Sequence, residues 1–159
     1  CVVDASEVGD ERVRVRGVVR NLGDVVNRGF LSAAQAEGAG SPKISDGESG
    51  RLALAEWITS ETNPLTARVW ANRVWHWLFG RGIVATPDNF GVTGAAPSHL
   101  ELLDWLASRF VEQGWSTKAL VREMVLSRAY AMSVTPSPGS RARDPEDRLF
   151  SHAHRRRLE

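Results

Sequence analysis

Cysteine is nearly missing from this chain of 159 residues: Cys1 is the only one. A single thiol excludes an internal disulfide, a CxxCH haem attachment and a cysteine-rich zinc site. An excess of one charge is missing too. Lys+Arg number 20 against 19 Asp+Glu, so no overall field draws in nucleic acid or repels it. Basic charge is local instead, in "ERVRVRGVVR" near the start and "HRRRLE" at the end. No apolar run approaches the roughly 20 residues that cross a bilayer, and no signal peptide is legible. There is no G-x-S-x-G, no phosphate-binding glycine loop and no H-E-x-x-H. Paired carboxylates at glycosidase-like positions cannot be picked out either. Because the chain opens without Met and stops inside what reads as a helix, it is expected to be a piece of a longer protein. Its lack of a targeting signal then says nothing about where the parent resides.

What is present is one domain's length of ordinary globular sequence, 42% hydrophobic and 25% charged. In "ERVRVRGVV" (11–19), Arg12, Arg14 and Arg16 alternate with Val13 and Val15, predicting a strand with one apolar face and one arginine face. A lone strand leaves its edges unpaired, so it is expected to pair with chain outside this sequence or to lie along the helical body. Residues 29–50, rich in Gly, Ser and Ala, read as loop.

From residue 49 the period becomes helical. Ser49 can cap a first helix through Ile58, with Leu52, Ala55 and Trp57 as its buried side. Asn63 as cap, Pro64 at the first helical position and Gly80 past the end frame a second helix. Ser98 with Glu101 reads as a capping box for a third, which buries Leu103, Leu106 and Phe110 and is closed by Gly114. Ser116 or Thr117 starts a fourth, with Leu120, Met124 and Ser127 on one face. Asp144-Pro145 with Glu146 and Asp147 predicts the start of a fifth, truncated at Glu159. The domain reading is a lead-in over 1–48, a helical core over 49–133, a linker over 134–143 and that last helix over 144–159. The expected fold is mainly α: four or five helices, one N-terminal strand, and a long structured loop over about 80–98. Loops of that length inside a compact domain are functional, or pack on their own side chains.

The second helix carries the chemistry. On a helical wheel, Trp70, Trp75 and Trp77 fall on one continuous apolar half with Ala67, Ala71, Val74 and Leu78, where core packing is the expectation. Arg68, Asn72, Arg73 and His76 fall on the other half, among Leu65, Val69 and Phe79. A face so mixed lies under another element, and the loop over 80–98 is the obvious cover. Two readings stay open. Arg68 or Arg73 could grip an anion while His76 moves a proton, or these side chains could brace a loop whose backbone has no ladder to satisfy it. Asp88 in "TPDNFG" could be a ligand or base, but Pro-Asp-Asn is first a turn signal. His99 reads as exposed or bonded to the loop, and Asp104 as the partner of an arginine. "HAH" (152–154), placed on a helix, would point its histidines to different faces, so no metal site is expected there.

Residues 50–133 carry R-L-x-L-A-x-W, N-P-L-x-A-R-V-x-x-N-R-x-W, F-G-x-G-I-V, D-x-F-G, P-x-H-x-x-L-L-D-W-L-A and G-W-S-x-K-x-L. With these motifs the sequence closely resembles the planctomycete cytochrome-c-associated domain of unknown function, the C-terminal module of large multi-domain proteins. "RVRVRGVVRNLGDVVNRGFLSA" and "DPEDRLFSHAHRRRLE" resemble the segments that flank it. The resemblance implies an upstream cytochrome c-like haem domain, a second planctomycete-specific domain and, in some members, carbohydrate-binding modules. It also implies export to the periplasm or cell surface. Since the family has no established reaction, it supplies no catalytic residue. Its recurring positions here are Asn63, Arg68, Asn72, Arg73, Asp88, Gly91, His99 and Asp104.

The function expected from these readings is a non-catalytic module that binds or orients neighbouring domains, with no cofactor of its own and haem held upstream. The alternative is a carbohydrate-binding or carbohydrate-active domain for acidic or sulfated glycans, its pocket lined by Arg68, Arg73, His76, Asp88 and His99. Arginine suits sulfate or carboxylate through its planar paired donors. The first reading expects those side chains saturated by the loop, the second an open cleft with unused donors.

Overall fold

The computed structural model describes residues 3, 7–35, 44–45 and 47–154. Cys1, part of the glycine-rich loop and the end of the expected last helix lie outside the described residues. The chain divides into two compact units, Cys1–Pro64 and Leu65–Glu159.

In the first unit, β1 (Glu11–Arg14) pairs antiparallel with β2 (Leu22–Val26), Glu11 opposite Val26 and Arg14 opposite Leu22. The expected single strand over 11–19 therefore ends early and finds its partner within its own chain. The reversal occurs where Arg16 and Gly17 adopt positive φ (54° and 74°), a conformation that ends an extended run. The pairing shifts register between Arg12 and Arg14, and the Arg12 side chain donates to the Gly23 carbonyl there at 2.9 Å. The valine face expected to be covered is exposed, Val13 and Val25 included.

Asp10 fastens the hairpin's end by accepting from the Arg28 backbone N–H at 3.0 Å and its Nε at 3.1 Å. Those two bonds hold the Asp10 carboxyl below its ordinary pKa. A lowered folded-state pKa makes the clasp fully effective above the unfolded value of about 3.9 and loses it as pH falls through the folded one. A carboxyl-shift titration of Asp10 by NMR is expected to show a midpoint below that value, with the Arg28 amide moving in step.

Helix α1 (Arg51–Thr59), grouped by sequence with the helical core, falls in this first unit. Trp57 stacks on Phe30 at 4.9 Å, and the Asn63 amide donates to the Trp57 carbonyl at 3.2 Å. Trp57 and Ala53 are half-buried, whereas Leu52 and Ala55, expected on the buried side, are exposed.

In the second unit, α2 (Thr66–Phe79), α3 (Leu100–Glu112) and α4 (Thr117–Val125) pack on one another around a single core. α2 supplies Ala67, Ala71, Val74 and Trp75, α3 supplies Leu103, Leu106 and Phe110, and α4 supplies Leu120 and Met124. Gly80 ends α2 at φ 84°, its N–H on the His76 carbonyl. α3 ends in a Schellman turn: Trp115 N–H reaches the Phe110 carbonyl and Gly114 N–H the Val111 carbonyl, with the Trp115 and Phe110 rings edge to face. Ser116 caps α4 by accepting from the Ala119 N–H.

Three local expectations are corrected here. Ser98 does not cap α3: its N–H and Oγ both donate to the Ile83 carbonyl, at 2.9 and 3.2 Å. α4 stops at Val125, before Ser127, which the sequence places on its face. Residues 144–154 form successive turns, not a helix, while a short helix, α5 (Ser140–Arg143), lies in the expected linker. Asp144 ties down the first turn by accepting from the Arg148 and Leu149 N–H groups, and Asp147 and Phe150 take positive φ, which no α-helix tolerates. No helix among the described residues is long and apolar enough to cross a membrane.

Candidate functional site

The loop over 80–98 is rooted in the core. Ile83 and Val84 are buried with the helical residues, and the root is held by one side chain of α2. Asn72, 0% exposed, accepts from the Val84 N–H through Oδ1 at 2.8 Å and donates through Nδ2 to the Val84 carbonyl at 3.0 Å. The amide thus stands in for the neighbouring strand that this backbone lacks. Gly82 is required beside it. A Cβ there would lie 2.9 Å from Asn72 Nδ2 and would overlap the Val84 carbonyl oxygen.

Beyond the root the loop bonds to itself. Asn89 N–H closes a turn on the Thr86 carbonyl, with Pro87 and Asp88 at its corners. Thr86 Oγ1 donates to the Asn89 carbonyl at 2.8 Å and accepts from the Ala95 N–H at 2.9 Å. Asn89 Oδ1 takes the Gly91 N–H, and its Nδ2 reaches Thr93. Of the two fates open to a long loop, this one packs on its own side chains.

The polar residues that share one half of α2 go to different partners. Arg68 Nε donates to Asp104 on α3 at 2.6 Å, and Arg73 donates to Asp88 in the loop at 2.8 Å. Asn72 lies between them, turned inward. His76 Nδ1 is buried and takes part in no hydrogen bond. His99 precedes α3 with its Nδ1 3.0 Å from the Ser98 hydroxyl, and its ring lies 5.6 Å from Phe150. Asp104 has the arginine partner expected for it. Of the three tryptophans of α2, Trp75 is buried and stacked on Phe79, and Trp70 is half-buried with Nε1 on Thr117 Oγ1. Trp77, expected in the core, is 54% exposed and set edge-on to Trp70.

The Arg73–Asp88 pair sits in solvent, with Asp88 85% exposed. Water screens such a pair, and exposed pairs contribute between 0 and about 1 kcal/mol. Arg73→Ala is therefore expected to shift the thermal midpoint by no more than about 4 °C, as read by circular dichroism. A larger loss would mean that Arg73 does more than pair with Asp88.

One cluster escaped the sequence reading. Asp147, 1% exposed, lies at the end of the turn over 144–147, and two imidazoles converge on it. His152 Nδ1 is 3.1 Å from its Oδ1, and His154 Nε2 is 3.1 Å from its Oδ2. Burial works against the charge on this carboxyl. The Ser151 hydroxyl and N–H and the two facing histidines overcome that, so its pKa lies below the ordinary value. Placing "HAH" on a helix hid the cluster. In the non-helical chain observed here, residues two apart can turn to one side.

The fold and its brace define a helical domain organised around a pinned loop, with no described feature that marks a known reaction. This chain belongs to the family described as Protein of unknown function (DUF1553), whose PSD1 model matches residues 50–159, well over half of its length. No curated protein and no solved structure matches it.

Proposed function

We propose that this domain is a non-catalytic module of an exported multi-domain protein, at the periplasm or cell surface, that binds or orients neighbouring domains of its own polypeptide. A cytochrome c-like domain is the first such neighbour, and any haem belongs to it. The observation that carries the reading is the use of the polar face of α2 within the fold. Asn72 is bonded to Val84, Arg68 to Asp104 and Arg73 to Asp88, so the motif is accounted for by folding. Support for docking comes from α3, where Trp105 stands 49% exposed between exposed Glu101 and Ser108. Tryptophan, with tyrosine and arginine, is enriched among the residues that carry binding energy where protein surfaces meet.

The test is a calorimetric titration of this chain with its separately produced upstream haem domain. Saturable association that Trp105→Glu abolishes in a still-folded chain is the expected result. Absence of association, or association indifferent to Trp105→Glu, overturns it. A parallel titration with carboxylated and sulfated glycans tests the alternative. Saturable glycan binding lost in folded Arg73→Ala would make the domain a carbohydrate-binding one instead.

A further inference from the structure

The segment that closes the second unit holds a set of donors that nothing above uses. Asp147 presents two unlike oxygens. Oδ1 accepts from the Ser151 N–H and hydroxyl, both at 2.7 Å, which fixes the carboxylate plane. Oδ2 is buried and receives no hydrogen bond, although a buried anionic oxygen without a donor is costly. His154 Nε2 lies 3.1 Å from it without hydrogen-bonding geometry. His152 approaches from the Oδ1 side, its ring 5.2 Å from that of His154.

We infer that Asp147, His152 and His154 form a binding site for a divalent transition-metal ion of the zinc type. Two imidazoles and one carboxylate are the donor set such ions take, and a hard ion such as calcium would ask for oxygens only. One ligand atom from each residue lies within 4.8 Å of the others. Bonds of about 2.0–2.2 Å set tetrahedral ligands roughly 3.4 Å apart, a contraction that rotation of the two histidines supplies. The Ser151 bonds to Oδ1 are the outer contacts that orient a ligating carboxylate and leave its other oxygen to the metal.

The surroundings say which way the ion faces. A cavity of about 320 Å³ opens beside the cluster, lined by Phe79, Tyr130, Met132 and Phe150 together with both histidines. Asp147, itself buried, lies 3.1 Å from each of the two histidines of that lining. An ion between them keeps three protein ligands and turns its remaining position toward the cavity, the arrangement of a zinc that binds water or a small ligand. Asp147 and Phe150 hold the turn in the left-handed region (φ 47° and 52°), a conformation uncommon for such residues that brings Ser151 and the histidines onto one carboxylate.

The experiment uses the tag-free chain, stripped with EDTA and dialysed, titrated with zinc chloride by calorimetry and with cobalt(II) by visible absorption. One equivalent of zinc at micromolar affinity or tighter is expected, with a cobalt spectrum of a four- or five-coordinate nitrogen–oxygen site. His154→Ala, at a partly exposed position, should retain the native circular-dichroism spectrum and lose at least about tenfold in affinity. Glu146→Gln, an exposed carboxylate next in sequence, should bind as the native chain does. Absence of stoichiometric uptake, or equal affinity in folded His154→Ala, overturns the site. Asp147→Asn adds a second reading if it folds; if it does not, the His154 variant decides alone.

Discussion

Asn72→Ala is expected to remove about 3–5 kcal/mol of stability, a large part of the 5–15 kcal/mol typical of a domain. The substitution breaks two hydrogen bonds at once and strands both backbone groups of Val84, itself 2% exposed. Each buried unsatisfied group costs about 1–3 kcal/mol, and the vacated space adds to that. For a chain of this length the thermal midpoint should fall by roughly 6–20 °C. Asn72→Asp sharpens the test, because it preserves shape and the acceptor for the Val84 N–H while setting a carboxylate oxygen against the Val84 carbonyl. Urea unfolding of the three proteins reads the effect. A loss under about 1 kcal/mol in Asn72→Ala would show that the loop is held elsewhere.

Gly82→Ala should reach a comparable size by a different route. One methyl group is added, yet it must displace either the Val84 carbonyl or the Asn72 amide, because there is no room beside them. Overpacking of this kind costs about 1–3 kcal/mol, and the brace is weakened as well, so a loss of about 2–4 kcal/mol is expected. The two substitutions touch the same contact and should not add. In the Asn72→Ala background the amide is absent, so Gly82→Ala should cost less than it does alone. Strict additivity in the double variant would place the effect of Gly82 outside the Asn72–Val84 contact.

The second, third and fourth helices and the glycine stops of the first two of these were legible because they depend on near neighbours. The start of the second was not, since α2 begins at Thr66, two residues past the expected Pro64. The stripe Leu103, Leu106 and Phe110 is buried as its period requires, and Gly80 and Gly114 end their helices at positive φ. What failed depended on distant partners. Ser98 followed by Glu101 has the form of a capping box, but Ile83, fifteen residues back, takes the serine's hydrogen bonds. The wheel put Asn72 beside Arg68 and Arg73, and nothing in the local pattern said that only Asn72 would turn inward. The end of the chain misled most. Asp144-Pro145 opens a helix in isolation, and no residue type at 147 or 150 announces positive φ, so the histidines were placed on the wrong kind of backbone. The alternation His-Ala-His was itself a clue, since in extended chain period two puts both rings on one side.

The division of the long loop into a pinned root and a self-bonded tip governs how its length can change. Ile83 and Ser98 are stitched together by the Ser98 N–H on the Ile83 carbonyl, so the chain between them is a closed ring whatever it contains. At its far end Val92 is fully exposed. Lengthening a ring whose ends are already fixed costs little, about 0.6 kcal/mol for each doubling. A peptide or small domain spliced in at Val92 would leave Asn72, Val84 and the helices untouched, which makes that tip the natural place to graft a reporter or an affinity handle onto this fold.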